Sequence, residues 1–210
     1  TEGIFGTIAN TFSTYVLPFV IMGAFFEVSG AGDFFIKLAL SLTKGWAGGP
    51  AKVAVIGSAI FGSISGSSTA NVVSTGAFTI PMMKRVGFEP EHAGAIEAAA
   101  STGGQFLPPV MGAGAFLLAN LTETPYLTIC MMNLIPALLY FFWVGCMVHF
   151  HAKKKGIKSL PDDEIPDFKK TFKEGWFFLL PIVLVFVMLF AGQAADRAAF
   201  VATISCVVLS

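Results

Sequence analysis

Charged side chains are scarce in this chain. Asp, Glu, Lys and Arg make up 12% of its 210 residues, whereas 55% are hydrophobic. Soluble domains typically carry about 25% charged residues, so the chain lacks much of the polar coat that a water-exposed surface needs. Its formal net charge is zero, which argues against nucleic-acid binding because that function needs a basic face. The composition therefore indicates an integral membrane protein in contact with the lipid bilayer.

Catalytic and cofactor-binding motifs are absent from the sequence as well. The three cysteines, Cys130, Cys146 and Cys206, lie in apolar stretches with neither disulfide nor metal-site spacing. No metalloprotease, nucleophile-elbow or nucleotide-loop pattern occurs, so we expect no enzyme and no organic cofactor. Any active transport would draw on an ion gradient or another subunit. The sequence opens at Thr1 without a visible signal peptide, and we expect it to be an excerpt of a longer chain.

Apolar stretches of membrane-helix length recur along the sequence. A spanning helix needs roughly 20 predominantly apolar residues, and the clearest candidates cover 11–28, 126–150 and 176–190. Shorter apolar stretches cover 31–42, 51–61, 69–83, 93–100 and 110–118, and another begins at Ala198. The pattern predicts an all-α polytopic membrane protein in five regions: spanning and peripheral helices over 1–50, a re-entrant hairpin and broken helix over 51–119, a spanning helix over 120–152, a polar cytoplasmic arm over 153–175, and further membrane helices over 176–210.

The placement of basic residues predicts the orientation. Positively charged loops stay on the cytoplasmic side of a membrane, so residues 84–85 and 153–158 predict cytoplasmic loops. The segment 120–125 has no basic residue and predicts a periplasmic loop. This topology is consistent with the basic loops only if the stretches 51–61 and 69–80 form a hairpin that enters and leaves by the cytoplasmic face. Each of these stretches is too short to cross the membrane.

Two polar interruptions fall at membrane depth in this topology. One is GSISGSS over 62–68, and the other is STGGQ over 101–105. Irregular backbone is tolerated there only where it is buried in protein or lines a cavity. Hydroxyls and unwound carbonyls can bind a small cation, whereas half-helix N-termini favour an anion. Two explanations stay open: a transporter binding site, or small residues that allow close helix packing.

Single polar residues near the interruptions carry less weight. Asn71 stands one turn beyond the first interruption, and it either reaches the hairpin tip or satisfies a neighbouring carbonyl. Glu97 is an intramembrane carboxyl, which is functional by default, but its neighbours Glu91 and His92 favour a position near the water-exposed cytoplasmic end.

The polar arm contains an amphipathic segment over 167–175. Phe168, Phe172 and Trp176 are spaced four apart among lysines. This spacing predicts an interfacial helix with its aromatic side chains buried and its lysines in water.

The motifs at these interruptions resemble one transporter family. FGSISGSSTA over 61–70 and IPMMKRVGF over 80–88 are similar to the first hairpin and its exit in the large membrane subunit of tripartite ATP-independent periplasmic (TRAP) transporters. AAASTGGQFLPP over 98–109 looks like that family's broken helix. VMGAGAF over 110–116 and VHFHAKK over 148–154 resemble the fused permeases that work with TAXI-type binding proteins. The resemblance spans nearly the whole chain.

This resemblance implies an elevator-type secondary transporter in the bacterial or archaeal inner membrane, driven by a sodium gradient. A TAXI-type periplasmic binding protein would deliver an organic anion such as a carboxylate, and a small membrane subunit or its fused equivalent would complete the permease. Residues 176–210 would begin a second inverted repeat, whose hairpin and second sodium site are not in this chain. The family often has Ser after the proline pair, whereas this sequence has Val110.

The resemblance also implies roles for residues of the two interruptions. One sodium ion, the coupling ion, would be enclosed by Ser65, Gly66, Ser67, Ser68, Ser101, Thr102, Gly103 and Gly104. The positions closest to the solute would be Asn71, Gln105, Pro108 and Pro109. Alternatives are another sodium-coupled anion symporter of the elevator type, a membrane scaffold subunit that does not transport and, more remotely, an intramembrane enzyme.

Overall fold

The protein is helical throughout the part that the computed structural model describes, residues 6–161 and 164–209. The helices are α1 (Thr7–Thr11), α2 (Leu17–Val28), α3 (Ala31–Leu42), α4 (Gly49–Ser65), α5 (Ser68–Arg85), α6 (Pro90–Gly103), α7 (Ala113–Leu121), α8 (Tyr126–Lys155), α9 (Phe168–Gly175), α10 (Leu180–Phe190) and α11 (Ala195–Leu209). No strand occurs in those two ranges. The predicted all-α class is confirmed.

Within the described residues, three continuous helical stretches are long and apolar enough to cross a membrane. They are Thr7–Val28, Tyr126–Lys155 and Phe168–Phe190. A π-helical segment, Phe12–Val16, joins α1 to α2 just before Pro18, where the proline cannot donate its backbone hydrogen bond. On α8, Phe142 and Trp143 are 63% and 69% exposed, as expected for side chains that contact lipid rather than protein. The polytopic membrane class that the sequence predicted agrees with these stretches.

Helices α4 and α5 form a hairpin with a two-residue tip. Gly66 ends α4 in the left-handed conformation with φ of +61°, and a Cβ there would lie 1.9 Å from the Met111 carbonyl oxygen. Only glycine fits this turn, because a side chain would meet both backbone strain and a steric clash. Ser67 caps α5, since its Oγ accepts a hydrogen bond from the Ala70 amide at 3.3 Å.

The hairpin arms are longer than the sequence predicted. α4 has 17 residues and α5 has 18, which at 1.5 Å per residue gives about 26 and 27 Å. A hydrocarbon core is about 30 Å thick, so each arm is still shorter than a full crossing, and neither arm is among the stretches that are long and apolar enough to cross. The return of both arms to one end of the bundle follows from the tight turn at the tip.

That end of the bundle gathers basic side chains from several helices. Lys155 at the end of α8 donates to Glu89 before α6 at 2.9 Å, and Lys52 in the first turn of α4 lies 3.0 Å from His149. Arg85 at the end of α5 pairs with an acidic residue of the polar arm, Glu164. The hairpin thus begins and ends where the basic residues cluster, as the predicted topology requires.

Helix α9 forms where the amphipathic segment was predicted. It continues through a 3₁₀ turn, Trp176–Leu179, into α10. Gly175 faces α3, where a Cβ would lie 2.2 Å from the Phe34 ring. Phe168 and Phe172 are 42% and 41% exposed, and their rings stack with centroids 5.9 Å apart. Protein does not bury these two rings, and their burial in lipid stays a prediction.

Candidate ion and solute site at the hairpin tip

The hairpin tip contacts the chain that follows α6. The Val110 amide donates to the Ser63 carbonyl at 3.0 Å, and Gln105 Nε2 donates to Ser68 Oγ at 2.6 Å. Gly66 packs on the Met111 carbonyl. The tip and the irregular segment after α6 therefore form hydrogen bonds with some of each other's polar groups. Irregular backbone at membrane depth needs such partners.

A cavity of about 530 Å³ opens at this contact. Its polar wall is the predicted tip, Ser65 to Ser68, together with Gln105, and its apolar wall includes Phe12 and Val16 of the first helical stretch. We call it the tip cavity. α4 ends at this cavity and α5 begins there. The C-terminal end of a helix carries roughly half a negative charge, and the N-terminal end carries roughly half a positive charge. The tip cavity therefore presents carbonyl and hydroxyl oxygens for a cation and a helix N-terminus for an anion.

The side chains of Ser101 and Thr102 do not line the tip cavity. Both residues belong to α6, which continues to Gly103 rather than breaking at Ser101. Ser101 Oγ donates to Glu97 Oε1 at 3.2 Å. Thr102 is exposed, and its Oγ1 donates to the Ala98 carbonyl at 2.7 Å within the same helix. Ion binding by these two hydroxyls stays a prediction, and their hydrogen bonds point away from the tip.

Gly103 and Gly104 lie at close contacts with neighbouring helices. A Cβ on Gly104 would lie 2.6 Å from Gly62 Cα, and a Cβ on Gly103 would lie 2.7 Å from the Tyr140 and Phe141 rings. Neither position has room for a side chain. At these two glycines the packing explanation that the sequence left open has direct support.

The four residues expected near the solute occupy different places. Gln105 lines the tip cavity, whereas Asn71, Pro108 and Pro109 do not. Asn71 is fully buried, and its Nδ2 donates to the Ser58 carbonyl at 2.9 Å. Of the two roles open for Asn71, the structure therefore supports the satisfaction of a neighbouring carbonyl. The Pro109 carbonyl accepts a hydrogen bond from the Tyr126 hydroxyl at 2.9 Å, which ties this segment to α8.

Glu97 is more deeply buried than its sequence neighbours predicted. The expectation that it lies near water was wrong, because its exposure is 0%. Hydroxyl groups of Ser58, Thr75, Thr79 and Ser101 donate to its carboxyl oxygens. The signal in the sequence was Asn71, Thr75 and Thr79 at four-residue spacing, since such residues share one face of a helix.

The sequence matches a family model and several curated proteins. The model for the DctM component of tripartite ATP-independent periplasmic transporters matches residues 3–210. The chain is 26% identical to the C4-dicarboxylate TRAP transporter large permease protein DctM of Vibrio cholerae, over 91% of this chain and 42% of that protein. It is 26% identical to the sialic acid TRAP transporter large permease protein SiaM of the same organism, over 88% and 43%. It is 28% identical to the isethionate TRAP transporter permease protein DctMQ of Oleidesulfovibrio alaskensis, over 85% and 28%.

The chain spans less than half the length of these relatives. The match nevertheless covers almost every residue of the chain itself, including the hairpin and the segment after α6. The chain belongs to the DctM family, the large permease component of TRAP transporters.

Proposed function

We propose that this chain forms the first part of a sodium-coupled permease that imports an organic anion across a bacterial or archaeal inner membrane. The observation that carries the proposal is the tip cavity, where the ends of α4 and α5 meet Gln105. Substrates named for the relatives, a C4-dicarboxylate, sialic acid and isethionate, are all organic anions. A soluble periplasmic binding protein would deliver the solute, and a small membrane subunit or fused equivalent would complete the permease.

The hairpin tip supplies the chemistry for a weakly held monovalent cation. Ser65, Ser67 and Ser68 line the cavity where α4 ends, and the last carbonyls of a helix carry the negative end of its dipole. Sodium prefers such hard oxygen ligands. None of the described residues that line this cavity is a carboxylate, so these residues would hold the ion without a full opposing charge. Such a site suits an ion that must bind and then be released in each cycle.

The solute would bind beside the cation rather than in place of it. The N-terminus of α5 presents backbone amides to an anion, and Gln105 Nε2 adds a side-chain donor at the same wall. We assign the chain to the TAXI-type fused permeases on the motifs at 110–116 and 148–154. Elevator movement would carry the hairpin as one body with α6, because glycine backbones pack directly at their contact.

Uptake into proteoliposomes tests this function. The complete transporter is reconstituted with its binding protein, and radiolabelled C4-dicarboxylate, sialic acid and isethionate are offered with and without an inward sodium gradient. We expect at least one anion to accumulate only with the gradient, and accumulation to stop when the gradient is dissipated. No uptake of these three anions by a correctly folded transporter, or uptake indifferent to sodium, would contradict the proposal.

Single substitutions connect that activity to the tip cavity. Ser68→Ala removes a hydroxyl from the cavity wall, so we expect a several-fold rise in the sodium concentration for half-maximal uptake. Thr122→Ala is the matched control, because its hydroxyl is bonded to the Leu118 carbonyl and the residue lies outside the cavity. Equal effects of the two substitutions would contradict the placement of the cation.

A further inference from the structure

A long groove of about 830 Å³ runs between α4 and α8. It shares no lining residue with the tip cavity, so it is a separate feature of the molecule. Most of its wall is apolar and includes Val55, Ile56, Ala59, Phe142 and Phe150. One end is different, because it is lined by Trp46, Lys52, His149 and Lys153. We call it the basic groove.

The charged end of the basic groove has no acidic partner within the described part of the chain. No described Asp or Glu lines the groove, and neither Lys52 nor Lys153 forms an ion pair with a described residue. Lys155, one turn from this end, does pair with Glu89 at 2.9 Å. Lys52 is only 8% exposed, and two positive charges on one wall repel each other. A negatively charged group at this end would therefore be stabilised.

Hydrogen-bond donors surround the same position. Lys52 Nζ donates to the Ala47 carbonyl at 2.8 Å and lies 3.0 Å from His149 Nδ1. An ammonium group can only donate, so Nδ1 accepts and a neutral His149 carries its proton on Nε2, where it can donate. The Trp46 ring centroid lies 5.2 Å from Lys52 Nζ, and tryptophan is enriched at the membrane–water interface. Ammonium and N–H groups together suit the oxygens of a phosphate.

The length of the apolar wall matches one leaflet of a bilayer. At 1.5 Å per residue, the wall extends about 12 Å along α4 from Lys52 to Ile60 and about 16 Å along α8 from Lys153 to Phe142. One leaflet contributes about 15 Å of a 30 Å hydrocarbon core. Phe142 and Phe150 are 63% and 67% exposed, so the groove is open along α8. An acyl chain that begins at the charged end can therefore lie along the whole groove.

We propose that the basic groove binds an anionic phospholipid of the cytoplasmic leaflet. Its phosphate would contact Lys52, His149 and Lys153, and an acyl chain would lie between α4 and α8. A free phosphate would leave the apolar wall without a partner, and a protein helix would have to bring an acidic group to the charged end. Anionic head groups are abundant in the cytoplasmic leaflet and bind in basic pockets between membrane helices. Lipid binding requires neither sodium coupling nor transport, so it can be tested apart from the function proposed above.

Native mass spectrometry of the complete transporter tests the charged end. The protein is titrated with phosphatidylglycerol and with phosphatidylcholine of the same acyl chains, and we expect saturable binding that favours phosphatidylglycerol. Lys153→Gln should weaken phosphatidylglycerol binding about five-fold through the loss of one lysine charge. Lys153 is exposed, so its replacement leaves the packing intact. Lys154→Gln, the adjacent residue outside the groove, should have no effect. Equal weakening by both variants would overturn the proposal, because it would show diffuse attraction to the basic surface.

A filled groove tests the position of the acyl chain. Gly145 lines the groove, and an added Cβ there would have no atom within 4 Å, so Gly145→Leu places its side chain in open space. Gly94 of α6 is equally open and lies outside the groove, which makes Gly94→Leu the matched control. We expect Gly145→Leu to weaken phosphatidylglycerol binding at least several-fold and Gly94→Leu to leave it unchanged. Undiminished binding by a folded Gly145→Leu variant would overturn the proposal.

Photocrosslinking identifies which molecule occupies the groove in the complete transporter. Phosphatidylglycerol with a diazirine in one acyl chain should label residues 55–60 and 141–150. Unlabelled phosphatidylglycerol should reduce that labelling, whereas glycerol 3-phosphate should not. Labelling confined to other segments would overturn the proposal and show that protein covers the groove. Loss of labelling with glycerol 3-phosphate would also contradict it, because a soluble phosphate would then bind at the charged end without an acyl chain.

Discussion

The contact between Gly62 and Gly104 yields a quantitative prediction about the hairpin. A Cβ on Gly62 would lie 2.6 Å from Gly104 Cα and 2.8 Å from Asn71 Nδ2. Backbone is on one side and a buried, hydrogen-bonded amide is on the other, so neither neighbour can yield easily. Forcing one extra methyl group into a packed core costs about 1–3 kcal/mol. Gly62→Ala should therefore lower the free energy of unfolding by about that amount, less the roughly 0.5–1 kcal/mol that a glycine-to-alanine change gains within a helix.

A matched control lies in the same helix. Gly57 of α4 has no atom within 4 Å of an added Cβ, so Gly57→Ala should gain about 0.5–1 kcal/mol from the lower conformational entropy of the unfolded chain. Thermal unfolding of the detergent-solubilised transporter, followed by a thiol-reactive dye that reports exposure of buried Cys130 and Cys206, measures both. A change of 1 kcal/mol corresponds to about 2–4 °C for a domain of 150–250 residues, and to a smaller shift in a larger protein such as the complete transporter. Equal midpoints for the two variants would refute the close contact between the hairpin and α6.

Three further predictions concern the surfaces of the molecule. Cysteines placed at Asn120 and Lys155 should react with an impermeant reagent from opposite sides of the membrane, and reaction from one side only would contradict the topology. A spin label at Phe168 should be less accessible to water than one at Lys169, whereas equal accessibility would contradict the prediction of an interfacial helix. Lys155 lowers the pKa of Glu89 through a hydrogen bond and its positive charge, so Lys155→Met should raise that pKa. The Glu89 carboxylate would then be neutralised at a higher pH as acid is added, and a carboxyl NMR titration that shows no rise would contradict the ion pair.

The sequence predicted some helix boundaries well and others poorly, for an identifiable reason. The range 31–42 was predicted as a helix, and α3 covers those residues. The predicted ends at Phe61 and Ala100 were too early, because serine and threonine were taken to stop a helix. Ser63 Oγ donates instead to the Ile60 carbonyl at 2.8 Å. Thr102 Oγ1 bonds a carbonyl in the preceding turn in the same way. Hydroxyls satisfied within their own helix extend it.

The candidate site was predicted in part. The tip residues 65–68 were identified from their glycine and serine content, and they do line a cavity. Which residues would face them depends on tertiary packing. The sequence placed Gln105 near the solute, and it does line the cavity, whereas Val110 lines it without having been predicted and Thr102 does not line it. The hydroxyl groups that donate to Glu97 come from three helices, and no local pattern specifies how such helices face one another.

Equilibrium binding of radioactive sodium to the purified complete transporter tests the central claim most directly, because it needs no knowledge of the solute. The Ser65→Ala/Ser68→Ala double variant removes two hydroxyls of the tip cavity, whereas Thr122→Ala removes one outside it. The proposed site predicts saturable sodium binding that the double variant weakens at least several-fold and that Thr122→Ala leaves unchanged. Undiminished sodium binding by a folded double variant would contradict the claim that the hairpin tip holds the coupling ion.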